Sequence, residues 1–309
     1  MAGLPSLRCE RSVAQLSPMQ SGGAESMAMS DRRQPRDRRR ARAIVQLTPR
    51  DNALVRAVAR FRAVRSKDLA RLFFCDVSRE RASQRLRRLF DAGYLSVRFG
   101  RLSEPNVYGL GDAGRHWAHD QGLDPAPMPN GDLSHHLALV SLWSRLAARL
   151  SRDAHVRLTS FRPDWEVRRS LGQVLPVIPD ALVELSAVGR EPRVRRFALE
   201  VDLGSERERI WEQKLLGYAA LHTDSPALLG WENFGLAVVL IGAGDRRRRT
   251  VAELVGSLWP ADHLVLSPEE WPDRLIALTL PAGSSSSKNS CSQASLTPAL
   301  TPALEEEGL

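Results

Sequence analysis

The stretch Phe197-Ala-Leu-Glu-Val-Asp-Leu-Gly-Ser-Glu206 alternates apolar residues with polar or small ones, and this alternation is the period of a β-strand. In a strand, Glu200 and Asp202 share one face and lie roughly 7 Å apart. Gly204 ends the strand, and the helix that follows includes Lys214 within its apolar face. A lysine in that position must reach water or a carboxylate, so it is predicted to point back at the two acids. This combination is typical of a cation or phosphate site.

The helix after this strand is predicted to use Ser205 as its cap and to carry acids in its first turn, where they suit the helix dipole. Its apolar face is predicted to contain Ile210, Trp211, Lys214, Tyr218 and Leu221. Packing that face against the sheet would bring the lysine to the carboxylates.

A third carboxylate is predicted to join them from a strand at residues 177–185, in which Asp180 and Glu184 share a face. If this strand runs antiparallel beside the next, Asp180 meets Glu200 and Asp202. Three converging carboxylates repel one another unless a cation or the neighbouring lysine neutralises them. A hard cation such as Mg²⁺ prefers oxygen ligands. The alternative is that these acids pair with arginines; we favour a metal site for Asp180, Glu200 and Asp202, and an ion pair for Glu184.

The amino-terminal half contains three short helical patterns and then two strand patterns. Thr48 caps the first helix, Ser66 and Ser78 open the second and third, and residues 94–99 and 106–110 can form a hairpin. This order predicts a winged helix-turn-helix.

The third helix has the side chains of a DNA-reading helix on the side away from its apolar stripe. Arginine reads guanine or clamps phosphate, and glutamine can read adenine. The predicted DNA-contacting residues on this helix are Arg81, Gln84, Arg85 and Arg88, with Arg98 and Arg101 on the wing. The alternatives are a solvated basic face and a winged helix that docks on protein.

The remaining chain divides at changes in composition. Residues 1–44 read as a disordered basic arm, whose arginine run at 32–42 could lie along phosphates or remain a solvated tail. Residues 45–120 form the winged helix, and 121–131 a linker rich in Pro, Gly and Asn. An α/β domain is predicted at 132–281, followed by a low-complexity, disordered tail at 282–309.

The second domain is predicted to run helix, strand, strand, strand, helix, strand, which makes the protein α/β overall. Asp164 and Glu166 are assigned to a loop after the first strand. His135 and His136 are adjacent and face different ways, so they are interpreted as core or surface residues rather than as one metal site.

Charge and cysteine content narrow the class of protein. The formal net charge of +8 favours an anionic partner, with double-stranded DNA as the leading candidate, although an arginine-rich genome can raise charge without one. The three cysteines lie far apart and lack metal-site spacing, which indicates a reducing compartment. No apolar run approaches the roughly 20 residues of a membrane span. The protein is predicted to be cytoplasmic.

Asp180, then Glu200-x-Asp202, in this order of elements resembles the PD-(D/E)XK restriction-endonuclease-like core. With Lys214, Tyr218 and the preceding winged helix, residues 45–280 resemble the replication-relaxation family, a bacterial group associated with plasmids and other mobile elements. The resemblance implies that Asp180 and Glu200 are metal-binding acids. Asp202 stands where an active nuclease carries lysine, which implies either that Lys214 supplies the missing charge or that the domain no longer cuts.

The functional hypothesis is a DNA-binding accessory protein of plasmid or mobile-element replication-relaxation or mobilisation, with a nuclease-like second domain that is either active or inactive. If it cuts, Asp180, Glu200, Asp202 and Lys214 form the catalytic site with Mg²⁺. The alternatives are a winged-helix transcriptional regulator and a protein adaptor for a relaxase or replication protein.

Overall fold

The structure is a computed structural model that describes residues 44–98, 104–130, 133–189, 193–204, 206–259 and 262–280, all within one compact unit at 39–309. Four sequence predictions therefore lie outside the described residues: the basic arm before residue 44, Arg101 on the wing, the Ser205 cap and the tail. No helix of the described ranges is long and apolar enough to cross a membrane.

The amino-terminal part alternates short helices with a small sheet. Its elements are α1 (Pro49–Phe61), β1 (Val64–Arg65), α2 (Ser66–Phe73), α3 (Arg79–Asp91), β2 (Leu95–Arg98), β3 (Val107–Leu110) and α4 (Asp112–Asp120). The three strands are antiparallel in the order β1-β3-β2. The predicted hairpin is β2 and β3, while β1 is too short to have left an alternating pattern.

Two of the predicted helix starts have the expected capping contacts. Thr48 and Asp51 form a capping box at the start of α1, and the Ser78 hydroxyl accepts from the Arg81 amide at the start of α3. These caps fix where α1 and α3 begin.

The second part is a five-stranded sheet with helices on both faces. Its elements are α5 (Ser134–Leu150), β4 (Val156–Pro163), α6 (Asp164–Leu171), β5 (Ala181–Ala187), β6 (Val194–Asp202), α7 (Glu208–Leu229), β7 (Gly235–Leu240), α8 (Asp245–Leu258), β8 (His263–Leu266) and α9 (Trp271–Thr279). The prediction of a loop around Asp164 and Glu166 is wrong, because these residues lie in the first turn of α6. Two acids in its first turn and two arginines in its last turn both suit the helix dipole.

The sheet has the order β4-β5-β6-β7-β8, antiparallel from β4 to β6 and parallel from β6 to β8. Helices α5 and α9 belong to the core on one face, together with Leu199 and Val201. Helices α7 and α8 pack on the other face against Ala198 and Val238. The predicted alternation in β6 is confirmed, so Glu200 and Asp202 lie on the α7 and α8 side.

One apolar core continues from the amino-terminal helices into the second part, although residues 121–130 between them form no helix or strand. The rings of Phe61 in α1 and Trp143 in α5 have centroids 4.0 Å apart. Helix α2 also packs on α5, where buried Asp68 accepts from Ser144 at 2.9 Å. The two parts are therefore joined by buried contacts, both apolar and polar.

Candidate functional site

The acids singled out in the sequence lie where β5 begins and β6 ends. In the β5–β6 ladder Ala181 pairs with Leu199, so Asp180 and Glu200 come next on the two strands. Because β5 and β6 are antiparallel, the beginning of β5 and the end of β6 lie at the same end of the sheet. The register predicted for Asp180 beside Glu200 is therefore present.

Glu200 is held in a buried cluster with α7. Its side chain is 1% exposed, accepts from the Lys214 ammonium at 2.6 Å, and accepts a short hydrogen bond from the Tyr218 hydroxyl. Burial, reinforced by the negative charge of Asp180, raises the pKa of Glu200 to about 8 against the lowering effect of Lys214. Burial likewise raises the pKa of Tyr218, which is therefore a neutral donor.

Lys214 points back at the end of β6, as predicted. Its ammonium lies 2.6 Å from both Glu200 and Glu206, which precedes α7. Burial alone would lower the pKa of Lys214, but the charges of these carboxylates hold it above its usual value. The ammonium has three N–H donors and these two contacts use two of them, so the third can donate to an incoming phosphoryl oxygen.

Asp202 has partners different from those of Glu200. Arg247 of α8 donates to one of its oxygens at 3.0 Å, and the backbone amide of Gly204 donates to the other at 2.7 Å. Burial would raise the pKa of Asp202, but the Arg247 and backbone hydrogen bonds lower it overall. Arg247 also donates to the Glu206 carbonyl oxygen, so Asp202 fixes the turn between β6 and α7.

Asp180 has a third set of partners. Its Oδ2 accepts from the Val201 amide at 2.7 Å and lies 3.1 Å from Nε2 of His135 at the start of α5. The same Nε2 is 3.1 Å from the Val201 carbonyl oxygen. The hydrogen bond to Asp180 raises the pKa of His135 to about 9, although burial opposes it.

The predicted cluster of three carboxylates is therefore not formed. No group of three or more His, Cys, Asp or Glu side chains among the described residues is arranged to hold a metal ion. The physical reason is that each acid has its own positive or neutral donor: Lys214 and Tyr218 on Glu200, Arg247 on Asp202, and His135 on Asp180. Asp202 in particular is neutralised by Arg247 and accepts hydrogen bonds at both oxygens, which disfavours a metal ion beside it. Glu184 pairs with Arg196 at 2.8 Å, as favoured.

Sequence reasoning missed two residues of this site. Arg247 was hidden in a run of four consecutive arginines, and only the contact between α8 and the end of β6 distinguishes it. His135 was interpreted as a core or surface residue, because nothing in the sequence indicates that the first turn of α5 meets Asp180. His136, its neighbour, binds the Phe61 carbonyl oxygen at 2.8 Å and stacks on Trp165, as a structural residue does.

The second candidate site is the outer side of α3. Arg81, Gln84 and Arg88 are exposed, while Leu86 and Leu89 are buried on the opposite side. Arg81 also lines a cavity of about 510 Å³ at the start of α1. Arg98 at the end of β2 is exposed as well.

Arg85 is placed differently from the other three predicted residues of α3. Its Nε donates to buried Asp51 at 2.9 Å, and one of its terminal nitrogens donates to the Gln46 carbonyl oxygen at 3.1 Å. These bonds raise the pKa of Arg85. The guanidinium thus ties α3 to the start of α1 and does not join the exposed side of α3.

A family model described as replication-relaxation matches residues 55–227, more than half of the chain. This chain belongs to the replication-relaxation family. No curated protein and no solved structure matches it.

The replication-relaxation match runs from α1 into α7, so it includes α3, Asp180, Glu200 and Lys214. It ends before α8, which supplies Arg247. In this member of the replication-relaxation family, the neutralisation of Asp202 thus depends on a residue outside the matched segment.

Proposed function

We propose that this member of the replication-relaxation family is a DNA-binding accessory protein that acts in replication or mobilisation of plasmids or other mobile elements. The match to the replication-relaxation family supports this role in replication or mobilisation. The observation that supports DNA binding is the exposed basic side of α3, and the proposed partner is duplex DNA.

Several features of the amino-terminal part support a winged-helix interpretation. The order helix, strand, helix, helix, strand, strand, closed by a three-stranded antiparallel sheet, is the order that such a domain requires. Arg81, Gln84 and Arg88 are spaced by three and four residues, so they form one row along α3. A row of this composition can reach base edges and phosphates from the major groove.

The combined substitution Arg81→Ala and Arg88→Ala should weaken binding to a labelled duplex by about tenfold or more, because two charge-assisted contacts are lost. The slope of log affinity against log salt should become shallower by about 1 to 2, since fewer counterions are released. Fluorescence anisotropy at several salt concentrations measures both quantities.

The matched control is Arg152→Ala with Arg157→Ala, which removes the same charge from exposed positions around the start of β4. If the control pair weakens binding as much as the α3 pair, only net charge matters and α3 is not the DNA-binding surface. If neither pair of substitutions weakens DNA binding, the alternative of a protein adaptor for a relaxase or replication protein is favoured.

A second candidate function is metal-dependent phosphodiester cleavage. It is favoured by the Lys214 ammonium beside Glu200, at the same end of the sheet as Asp180. The described acids form no three-ligand cluster, so a divalent ion such as Mg²⁺ would need water and phosphate oxygens as its further ligands; when bound, it would polarise the phosphoryl group. Lys214 would use its third N–H donor to stabilise the developing charge, so the lysine is the residue to test. Nicking of supercoiled plasmid that is lost in Lys214→Arg would support cleavage; binding without nicking in Mg²⁺ or Mn²⁺ would exclude it.

A further inference from the structure

We propose that the acidic segment at residues 304–307, Leu-Glu-Glu-Glu, docks in the cavity between the start of α1 and α3 of the same chain. The segment lies outside the described residues, and its sequence and the chemistry of the cavity support the contact. The docking itself does not require that the chain binds DNA. Its effect on DNA binding rests on the proposed function.

The cavity combines apolar and basic side chains. Its volume of about 510 Å³ lies within the range of ligand-binding cavities, which is about 300 to 1,000 Å³. Pro49, Phe74 and Val77 supply apolar surface, while Arg50 and Arg81 supply positive charge. A ligand that fits this cavity therefore needs an apolar group next to negative charge.

The arginines that line the cavity differ in how far they are neutralised. Arg85 is bound to buried Asp51, and Arg50 pairs with Asp76 at 2.7 Å. Arg81 is exposed and has no ion pair with any residue that the structure describes. An arginine can bind a carboxylate through two parallel hydrogen bonds. Arg81 is therefore the cation that is available to an acidic ligand.

The segment at 304–307 has the complementary composition. Leu304 supplies an apolar side chain, and Glu305, Glu306 and Glu307 follow it directly. The segment before residue 44, in contrast, is arginine-rich at 32–42 and has the same sign of charge as Arg81. Charge therefore favours residues 304–307 over the basic arm as the occupant of the cavity.

The chain between α9 and the acidic segment is long enough for this contact. Residues 281–303 lie between Leu280, which follows α9, and Leu304, and an extended chain of this length spans up to about 80 Å. A compact unit of the size of residues 39–280 has a radius of gyration of about 18 Å. The acidic segment can therefore reach the cavity. Because both belong to one chain, weak contacts are sufficient for docking.

Docking in this cavity would oppose DNA binding through α3. Arg81 lines the cavity and also belongs to the exposed row on α3 that is proposed to contact DNA. A guanidinium that holds a carboxylate through two of its donors cannot hold a phosphate through the same donors. The acidic segment and duplex DNA therefore compete for Arg81, and the segment acts as an intramolecular inhibitor of DNA binding.

The test is disulfide trapping in the full chain, without DNA. Cys75 is exposed and directly follows Phe74, which lines the cavity. In a protein with Cys9→Ser, Cys291→Ser and Gly308→Cys, it can form a disulfide with the cysteine introduced at position 308. Oxidised dithiothreitol starts the reaction, and non-reducing electrophoresis with mass spectrometry measures the rate at which the intramolecular disulfide forms.

The rate should depend on both sides of the contact. Glu305→Gln, Glu306→Gln and Glu307→Gln together should slow trapping by about tenfold, and added salt should reduce this difference. Arg81→Ala should slow trapping by about threefold, because one exposed ion pair is lost. The matched control is Arg88→Ala, since Arg88 is equally exposed on α3 but does not line the cavity; trapping should be unchanged.

Two results would overturn the docking: the same trapping rate with and without the three glutamine substitutions, or equal slowing by Arg81→Ala and Arg88→Ala. Disulfide-linked dimers in place of the intramolecular product would also contradict it, because the segment would then dock on a second copy of the chain. DNA affinity, measured without oxidant, reports separately on the proposed function. The three glutamine substitutions should strengthen binding to a labelled duplex by about threefold, since more of the chain is free to bind. Absence of DNA binding with the expected trapping rates would contradict the proposed function and leave the docking intact.

Discussion

Lys214→Met should lower the free energy of unfolding by about 3 to 5 kcal/mol at pH 9, above the pKa of about 8 of Glu200, because it leaves a buried carboxylate without its cation. Glu200 is 1% exposed, and its partners are the Lys214 ammonium at 2.6 Å and the Tyr218 hydroxyl. Methionine has similar length and fills the same space, so packing is largely retained. Chemical denaturation followed by circular dichroism measures the loss.

The control for the chemistry of the substitution is Lys67→Met, because Lys67 is exposed on α2. That change should alter stability by no more than about 0.5 kcal/mol. The double substitution Lys214→Met with Glu200→Gln should recover most of the loss, since the neutral amide no longer needs a cation. Equal effects of Lys214→Met and Lys67→Met would show that the ammonium does not stabilise Glu200.

Asp51→Asn should lower the free energy of unfolding by about 2 to 3 kcal/mol at neutral pH, since charge-assisted hydrogen bonds to a buried carboxylate are lost. Asp51 is 1% exposed, accepts from Arg85 of α3 at 2.9 Å, and accepts from the Thr48 hydroxyl at 2.6 Å and amide at 2.8 Å. Asparagine keeps the size of the side chain and removes its charge. Denaturation at pH 7 of both proteins gives the difference.

The difference in free energy of unfolding between the unmodified protein and Asp51→Asn should depend on pH. Burial would raise the pKa of Asp51, but the hydrogen bonds from Arg85 and Thr48 lower it below its usual value. A carboxyl whose folded pKa is depressed contributes stability above its unfolded pKa and loses it as the pH falls through the folded value. The advantage over Asp51→Asn should therefore be constant from pH 7 to pH 5 and decline below about pH 4. An advantage that persists unchanged at pH 2 would contradict this account of Asp51.

The sequence predicted those parts of the fold whose signals are local. The alternation in residues 197–203 gave the two faces of β6, and the continuous apolar run before residue 242 gave the buried strand β7. The caps Thr48 and Ser78 also gave the starts of α1 and α3. Each of these depends on neighbouring residues, which is why periodicity and capping rules were sufficient.

The partners of the site residues depend on contacts between elements far apart in sequence. Arg85 was predicted on the exposed side of α3 because its position fits that row, but Asp51 lies close enough to take its guanidinium. Ile210 was placed on the buried face of α7, yet it is 43% exposed, because that face is formed by Trp211, Leu215, Tyr218 and Leu221. His135 shows the same limit, since its link to Asp180 spans 45 residues.

The most direct test of DNA binding through α3 is photocrosslinking to a radiolabelled duplex from a benzophenone attached at single positions. Cys9, Cys75 and Cys291 would be replaced by serine, and Gln84→Cys would then carry the probe on the exposed side of α3. Arg157→Cys, exposed on β4, carries it in the control. We expect efficient, salt-sensitive crosslinking from position 84 and little from position 157. Equal yields from both positions, or a higher yield from position 157, would contradict DNA binding through α3.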